Sequence, residues 1–536
     1  MPTKNTTLNA FHFLFLAALI LVNSVQTACA EIPERVDVLL KSGMIVDGTG
    51  REPYVGDVAV VKDRIVAVGK VAATDAGRII DCTGLVVCPG FIDLHNHSDT
   101  SILTPESRDA ACYLTQGCTT LVTGNCGGGR ADIGKYYEDL DADRPGVNIA
   151  QLVPHGSVRD KVMGKVRRAP TEQELKQMQA LAEEGMQQGA WGMSTGLQYV
   201  PGAYADTDEL VAIATVVGKQ GGIYASHIRD ESEELLESIE EVLEIARRAE
   251  LPCHVSHLKS SKVRNWGKIR AATEAIEQAR QSGLTITADQ YPYTASSTSI
   301  MAMLLPDEER EGGEQATSDR LKDPGEEARL RPVIAQGLEE RGQIMIASSK
   351  KNPAWIGRMI SDVAKAEGRE HVEIGLELLS EPGAQGVNFG MDEGDVRYAM
   401  TLPWVATASD GSAKVDDGTR PHPRSYGTFS RKIGRYSMKD KVLSLPAAIR
   451  SASGLPADII GMKDRGYVRE NLAADLAVFD PITFEDLATY EKPFERSTGV
   501  RWLLVNGQIA IADGVLQKTL AGRPLRRNVE EAAAGQ

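Results

Sequence analysis

A long apolar stretch that ends in two histidines limits the folds open to this chain. Residues 84–94 are predominantly apolar, and His95 and His97 follow directly. Strands buried on both faces, as in a parallel sheet, show such runs. Because side chains alternate along a strand, both imidazoles lie on one face. The two histidines are either exposed to solvent without a ligand or part of a metal site at the mouth of a (β/α)8 barrel.

The middle of the chain alternates strand and helix patterns, which favours the barrel. Helices are predicted over residues 171–188, 232–249 and 265–281, and Thr171 provides an N-cap for the first of them. Predicted strands occupy residues 117–124, 147–153, 192–196, 222–227, 253–257 and 285–289. This order is typical of α/β proteins with a parallel sheet, so the predicted fold is a (β/α)8 TIM-type barrel.

Short strand patterns at both ends of the chain indicate a second domain. We expect residues 31–90 and 455–536 to form one small β-sandwich domain, with the barrel spanning residues 91–454 between them. From about 304 to 400 the strand rhythm loosens and charged residues are frequent. This segment is predicted to be an inserted lid or subdomain.

Residues 1–30 have the pattern of a signal peptide. Lys4 is the one charged residue, an apolar run covers residues 11–22, and Ala28-Cys29-Ala30 fits a cleavage site. A retained N-terminal anchor is the alternative, although the run is short for a membrane span. We expect an exported protein, periplasmic or secreted, with no membrane segment after signal removal.

Charge and cysteine content exclude several classes of protein. The formal net charge is −15 and the pI is near 5.3, which argues against nucleic acid as a partner. Six cysteines follow Cys29 and are widely spaced, unlike a disulfide-rich framework. Neither a disulfide pairing nor an oligomeric state follows from the sequence.

Further metal-binding side chains follow other predicted strands. Cys126, His227 and His257 each lie at or after the C-terminal end of such a strand, and Asp410 follows a predicted last barrel strand at residues 404–409. Barrel sites are built at these strand ends. Four imidazoles with one thiolate suit zinc better than magnesium or calcium. His254 is three residues before His257, so we expect it to face the outer layer of the barrel.

Eight short motifs occur in order along the chain. They are residues 90–97 (GFIDLHNH), 124–127 (GNCG), 192–197 (GMSTGL), 226–229 (SHIR), 256–259 (SHLK), 289–293 (DQYPY), 409–411 (SDG) and 421–424 (PHPR). On these motifs the chain, from about Val36 to Arg526, resembles the amidohydrolase superfamily, and within it the D-aminoacylase (N-acyl-D-amino-acid deacylase) family. Many amidohydrolases use a carboxylated lysine as the bridging ligand, and this family resembles them with cysteine in that role, here Cys126.

The resemblance implies a zinc-dependent hydrolase with one tight Zn2+ and a possible weaker second site. Cys126, His227 and His257 would hold the tight ion. His95 and His97, with Cys126 shared, would form the weaker position. Asp410 would be the general base, passing a proton from water at the metal to the leaving amine. The implied reaction cleaves the amide bond of an N-acyl-D-amino acid and releases a D-amino acid and a carboxylate.

The resemblance also implies which residues bind this small-molecule substrate. Lys259, Tyr291 and Arg424 would bind its free carboxylate, with Tyr199 and Ser297 nearby. The segment from Asp410 to Arg424 is longer than the family pattern, so Arg420 competes with Arg424 for this role. Hydrolysis of cyclic amides or of dipeptides with a D-residue is the nearest alternative, and a non-catalytic scaffold is a remote one. The sequence gives neither the acyl group nor the preferred D-side chain.

Overall fold

The computed structural model describes residues 35–72 and 75–528. The predicted signal peptide at residues 1–30 lies outside the described residues. Within the described ranges, no helix combines the length and the apolar character needed to cross a membrane.

Eight parallel strands form the barrel, and each pairs with the next along the chain. They are β1 (Phe91–Asp93), β2 (Cys118–Thr123), β3 (Asn148–Gln151, continued by Val153–Pro154), β4 (Gly192–Gly196), β5 (Ile223–His227), β6 (Cys253–Val255), β7 (Ile286–Gln290) and β8 (Val405–Thr407). Residues just past β8 meet those just past β1. The Asp410 amide donates to the His95 carbonyl at 2.8 Å, and the His97 amide donates to the Gly411 carbonyl at 2.7 Å. The predicted barrel is confirmed.

Helices between the strands cover the barrel from outside. Thr171 caps the helix Glu172–Gln187 with a capping box shared with Glu174, which confirms the predicted start. The helix Leu235–Ala249 buries one apolar face, including Ile239 and Val242, against the barrel. The other helices packed around the barrel are Ala111–Leu114, Ile133–Ala142, His155–Met163, Thr207–Lys219, Ile269–Gln281, Arg424–Ser430, Leu445–Ala452 and Gly454–Ile460, together with the π-helix Arg431–Lys439.

A nine-stranded sheet brings together strands from both ends of the chain. Its apolar core includes Val38, Val58 and Leu476. The strands are Arg35–Ile45, Tyr54–Val61, Arg64–Gly69, Asp75–Asp81, Val86–Pro89, Leu476–Phe479, Val500–Val505, Gln508–Ala512 and Val515–Leu516. The helix Gly454–Ile460 packs against barrel strands, so the chain returns to this sheet after Ile460 and not at the predicted residue 455.

The prediction of one continuous strand over residues 84–94 is wrong. Val86–Pro89 belongs to the terminal sheet, and Phe91–Asp93 is β1 of the barrel. The chain changes sheet at Gly90, where a Cβ atom would lie 2.3 Å from the Thr119 side chain. The apolar run is therefore two short buried strands, which periodicity alone does not separate.

The insertion between β7 and β8 is a subdomain with its own core. Its antiparallel strands are Ser296–Ser299, Ile344–Ser348 and Gln385–Asn388. Its helices are Ile300–Leu304, Gly313–Arg320, Pro324–Arg341, Ile360–Glu367, His371–Leu379 and Glu393–Ala399. It begins at Ser296, earlier than the predicted residue 304. The Thr298 hydroxyl donates to the Tyr199 hydroxyl at 3.2 Å, so the subdomain contacts the barrel mouth.

No disulfide joins cysteines in the part of the chain that the structure describes. Cys82, Cys88, Cys112, Cys118 and Cys253 are buried, whereas Cys126 is partly exposed. Burial raises the pKa of the Cys82 and Cys112 thiols to about 12. The buried thiols are therefore apolar packing groups.

Candidate metal centre and active site

Cys126 lies between three histidines at the barrel mouth. Its Sγ is 3.2 Å from His95 Nε2, 3.5 Å from His227 Nδ1 and 3.7 Å from His257 Nε2. In a tetrahedral zinc site with ordinary bond lengths, sulfur and nitrogen ligands are about 3.5 Å apart. The spacing and the chemistry of these donors therefore fit zinc.

Two donor groups share Cys126. In one, the ligand atoms of Cys126, His227 and His257 lie within 4.8 Å of one another. In the other, those of His95, His97, Cys126 and Asp410 do so. The six side chains proposed from the sequence are thus brought together as two adjacent donor groups that share the Cys126 sulfur.

Three of these residues have left-handed backbone conformations. The φ angles are +50° at Cys126, +37° at His257 and +50° at Asp410. Such angles are uncommon outside glycine and occur where the surrounding structure holds a functional side chain in place. Gly196 permits the turn at Cys126, because a Cβ atom there would lie 2.1 Å from the Cys126 carbonyl oxygen. This contact explains the glycine at the end of the GMSTG motif.

Glu231 orients His257 from behind the metal centre. Its Oε1 lies 2.9 Å from His257 Nδ1 and accepts a hydrogen bond from Lys259 Nζ at 2.5 Å. Although burial alone would raise the pKa of Glu231, the charges of Lys259 and the two neighbouring histidines hold it below its usual value. Sequence reasoning missed Glu231, four residues after His227. Its position in the HIRDE segment was the available signal.

Asp289 lies behind His95 without a hydrogen bond to its Nδ1, and its role was also missed. Asp289 accepts a hydrogen bond from the His257 amide at 2.6 Å, and its Oδ2 lies 3.6 Å from His95 Nδ1. The same oxygen is 2.8 Å from His254 Nε2. Burial opposes ionisation, but these histidines hold the pKa of Asp289 well below its usual value. A carboxylate that orients a ligand imidazole is a regular feature of metal sites.

The prediction that His254 faces the outer layer is wrong. His254 is on β6 and points to Asp289, while β6 ends at Val255. His257 is already in a turn with positive φ. Strand alternation therefore does not relate the two histidines, and both face the site.

Asp410 lies between the second metal position and Arg424. Its Oδ1 is 3.0 Å from His97 Nε2 and 3.5 Å from His95 Nε2, and its Oδ2 is 2.7 Å from Arg424 Nη1. Burial would raise the pKa of Asp410, but Arg424 and the nearby histidines outweigh it and hold the pKa well below its usual value. The carboxylate is therefore ionised and able to accept a proton.

The predicted substrate-binding residues divide into two groups. Tyr199, Ser297 and Arg424 line a cavity of about 470 Å³ that opens onto His97, Cys126 and Asp410. The side chains of Lys259 and Tyr291 do not line this cavity. Lys259 binds Glu231, and the Tyr291 ring packs under the Arg424 guanidinium at 5.0 Å. These two residues therefore contact other residues of the site and hold them in place.

Arg424, and not Arg420, lies in the cavity. The Arg424 guanidinium donates to the Ser297 carbonyl at 3.2 Å, which ties it to the inserted subdomain. The Arg420 side chain donates to the Thr419 carbonyl and lies against Gly357. The longer segment after Asp410 thus carries Arg420 away from the metal centre.

An eight-stranded barrel with these ligands and a carboxylate at its C-terminal mouth defines a metal-dependent barrel hydrolase. A family model described as "Amidohydrolase family" matches residues 78–316 and 352–511. The chain is 35% identical to D-aminoacylase of Alcaligenes xylosoxydans xylosoxydans over 516 residues, covering 92% of this chain and 98% of the relative. It is 32% identical to N-acyl-D-glutamate deacylase of the same organism, covering 94% and 99%.

A solved structure shows the same fold. N-acyl-D-glutamate deacylase from Bordetella bronchiseptica, complexed with zinc and a phosphonate inhibitor, matches with a TM-score of 0.78 at 32% identity. The match covers 92% of this chain and 100% of that one. The chain belongs to the amidohydrolase family, in its D-aminoacylase branch.

Proposed function

We propose that this protein is a zinc-dependent hydrolase of N-acyl-D-amino acids, releasing a D-amino acid and a carboxylate. The observation that carries the proposal is the Cys126 sulfur shared by two donor groups, with the Asp410 carboxylate 3.0 Å from His97. The relatives named D-aminoacylase and N-acyl-D-glutamate deacylase support this choice of amide.

Cys126, His227 and His257 are proposed to hold the tighter zinc. His95 and His97 with Cys126 form the weaker position. Zinc held by these residues would act as a Lewis acid, which polarises the substrate carbonyl and lowers the pKa of water towards about 7. Glu231 and Asp289 fix the imidazole orientations, which is the usual task of carboxylates behind a metal site.

Asp410 is proposed to move the proton. Its carboxylate is buried, ionised and directed to the space between His97 and Arg424. An ionised carboxylate accepts the proton of the attacking water and returns it to the amine that leaves. Left-handed φ at Asp410 and the backbone bond to His95 hold it in this position.

The cavity is proposed to bind the rest of the substrate. Arg424 provides a planar guanidinium for the α-carboxylate, and Ser297 and Tyr199 complete that wall. The inserted subdomain contributes Ser297 and Thr298 to this wall, which shields that side of the cavity from water.

A chiral substrate panel tests the proposed function. Zinc-loaded protein is assayed with N-acetyl-D-amino acids, their L-isomers, D-residue dipeptides and hydantoins. We expect D-amino-acid release that disappears with a chelator and returns with zinc. Activity confined to cyclic amides or to L-isomers contradicts the proposal. An absence of hydrolysis by zinc-loaded protein favours a non-catalytic scaffold.

We also propose that residues 1–30 direct export, on the sequence pattern alone. Cell fractionation with N-terminal sequencing of the mature protein tests this point. A mature chain that begins near Glu31 in the exported fraction is the expected result. A chain that keeps residues 1–30 contradicts cleavage.

A further inference from the structure

We propose that Lys414 selects substrates with an acidic D-side chain. The proposal rests on the proposed function, because it names the substrate class of the same site. Lys414 lines the cavity that also holds Arg424 and Asp410. It belongs to the segment between Asp410 and Arg424.

Among the lysines and arginines that line the cavity, Lys414 has no direct carboxylate partner in the described part of the chain. Arg424 is paired with Asp410 at 2.7 Å, and Lys165 lies 3.9 Å from Asp160. Within the described ranges, no carboxylate oxygen lies within 4.0 Å of the Lys414 ammonium. A cation that faces a substrate cavity without a partner is suited to an anionic group of the ligand.

The acidic residues of the same loop are engaged elsewhere. Asp416 accepts from the Gly418 amide at 3.0 Å. Asp417 accepts from the Thr419 amide at 3.0 Å and from its hydroxyl at 2.5 Å. Both carboxylates therefore shape the loop, and Asp417 acts on the Lys414 ammonium through space without an ion-pair contact.

The backbone around Lys414 is fixed on both sides. The Ala413 amide donates to the Ser98 hydroxyl at 2.7 Å, and Ala413 is buried. The Tyr426 hydroxyl donates to the Lys414 carbonyl at 2.6 Å. Ser98 and Tyr426 thus hold the backbone of Lys414 at the cavity wall, which reduces the backbone entropy lost when the lysine binds a ligand.

The cavity therefore offers two sites for carboxylates. Arg424 takes the α-carboxylate, and Lys414 takes a second carboxylate on the D-side chain. A volume of about 470 Å³ accommodates such a dicarboxylic residue beside the metal centre. N-acyl derivatives of D-glutamate and D-aspartate are the matching substrates.

Isosteric substrate pairs test this inference. We compare kcat/KM for N-acetyl-D-glutamate and N-acetyl-D-glutamine, which differ in charge but hardly in size, on zinc-loaded wild type and Lys414→Met. We expect wild type to prefer the glutamate derivative by about tenfold or more, and K414M to lose that preference. Turnover of N-acetyl-D-leucine stays within about twofold, because it has no second carboxylate.

Two further variants separate recognition from folding. Lys414→Arg is expected to restore the preference for glutamate, and Lys518→Met, an exposed lysine of the terminal sheet, to leave it unchanged. An equal glutamate-to-glutamine ratio in wild type and K414M overturns the inference while leaving the proposed function intact. Failure of zinc-loaded wild type to hydrolyse any N-acyl-D-amino acid overturns both.

Discussion

Arg424 Nη1 lies 2.7 Å from Asp410 Oδ2 in the buried floor of the cavity. The contact is a charge pair without hydrogen-bond geometry at Nη1, so the guanidinium keeps directional donors for a substrate carboxylate. Arg424 thereby contacts the proposed base, Asp410, and is also placed to bind the carboxylate of the proposed substrate. The ion pair links substrate binding to the proton transfer.

Replacing Arg424 with methionine tests both functions. We expect kcat/KM to fall about tenfold to a hundredfold, the effect of losing a charged hydrogen bond. Without the guanidinium the pKa of Asp410 rises, so the acidic limb of the pH–rate profile moves to higher pH. Steady-state kinetics across pH measure both effects.

Arg420→Met is the matched control for this prediction. Its side chain lies outside the cavity, so its kinetics are expected to stay within about twofold of wild type. A large loss in R420M with little change in R424M would show that the carboxylate binds elsewhere.

Replacing Cys126 with serine removes the donor that both metal positions share. We expect zinc affinity to fall by more than about a hundredfold. Loss of a residue that only orients a ligand costs up to about a hundredfold, and loss of the shared ligand itself should cost more. Metal content after dialysis against a graded chelator series measures the change. Cys82→Ala in the terminal sheet is the control and is expected to keep wild-type zinc. A zinc-replete, fully active C126S would contradict the shared-ligand assignment.

Glu231→Gln tests the support of His257. We expect zinc affinity to fall about tenfold to a hundredfold, because the imidazole loses its charged partner. Competition with a fluorescent zinc chelator reports the change. The exposed Glu233, which pairs with Lys262 and Arg264, provides Glu233→Gln as the control. Equal zinc affinities in the two variants would remove Glu231 from the metal site.

A buried lysine gives the protein an alkaline dependence of stability. Lys432 lies in the π-helix Arg431–Lys439, its Nζ has no hydrogen-bond partner, and burial lowers its pKa to about 7. Between about pH 7 and 10.5 the unfolded chain binds more protons at this residue than the folded chain. The free energy of unfolding therefore rises with pH across that window.

Lys432→Met removes this dependence. At 1.36 kcal/mol for each pKa unit, the variant is expected to gain up to about 5 kcal/mol near pH 7 and little at pH 10.5. Denaturant unfolding of both proteins across the window measures the difference, with the exposed Lys439→Met as the control. A constant difference between K432M and wild type at all pH values would contradict the pKa assignment.

The metal ligands were predictable because chemistry and position coincide in them. His95, Cys126, His227 and His257 are metal-binding residue types at strand ends, and a barrel brings all its strand ends to one mouth. Asp410 was predicted in the same way, because it also follows the end of a barrel strand. Residue type and strand position therefore gave the candidate ligands, whereas their grouping and the role of Asp410 came from the family resemblance.

The residues that lie behind the metal ligands were harder to predict from the sequence. The contacts of Glu231 and Asp289 with the histidines depend on where turns end, and His254 was misplaced because β6 stops two residues before His257. The sheet change at Gly90 depends on a contact with Thr119 that is distant in sequence. These features arise from tertiary contacts, which a local periodicity does not encode.

The turnover rate of zinc-loaded Asp410→Asn tests the central claim most directly. The amide keeps the size and most contacts of the carboxylate but cannot accept the proton at neutral pH. At zinc content equal to wild type, we predict that kcat for an N-acyl-D-amino acid falls about 10²- to 10⁴-fold. A zinc-replete D410N that hydrolyses the substrate at the wild-type rate would contradict the account.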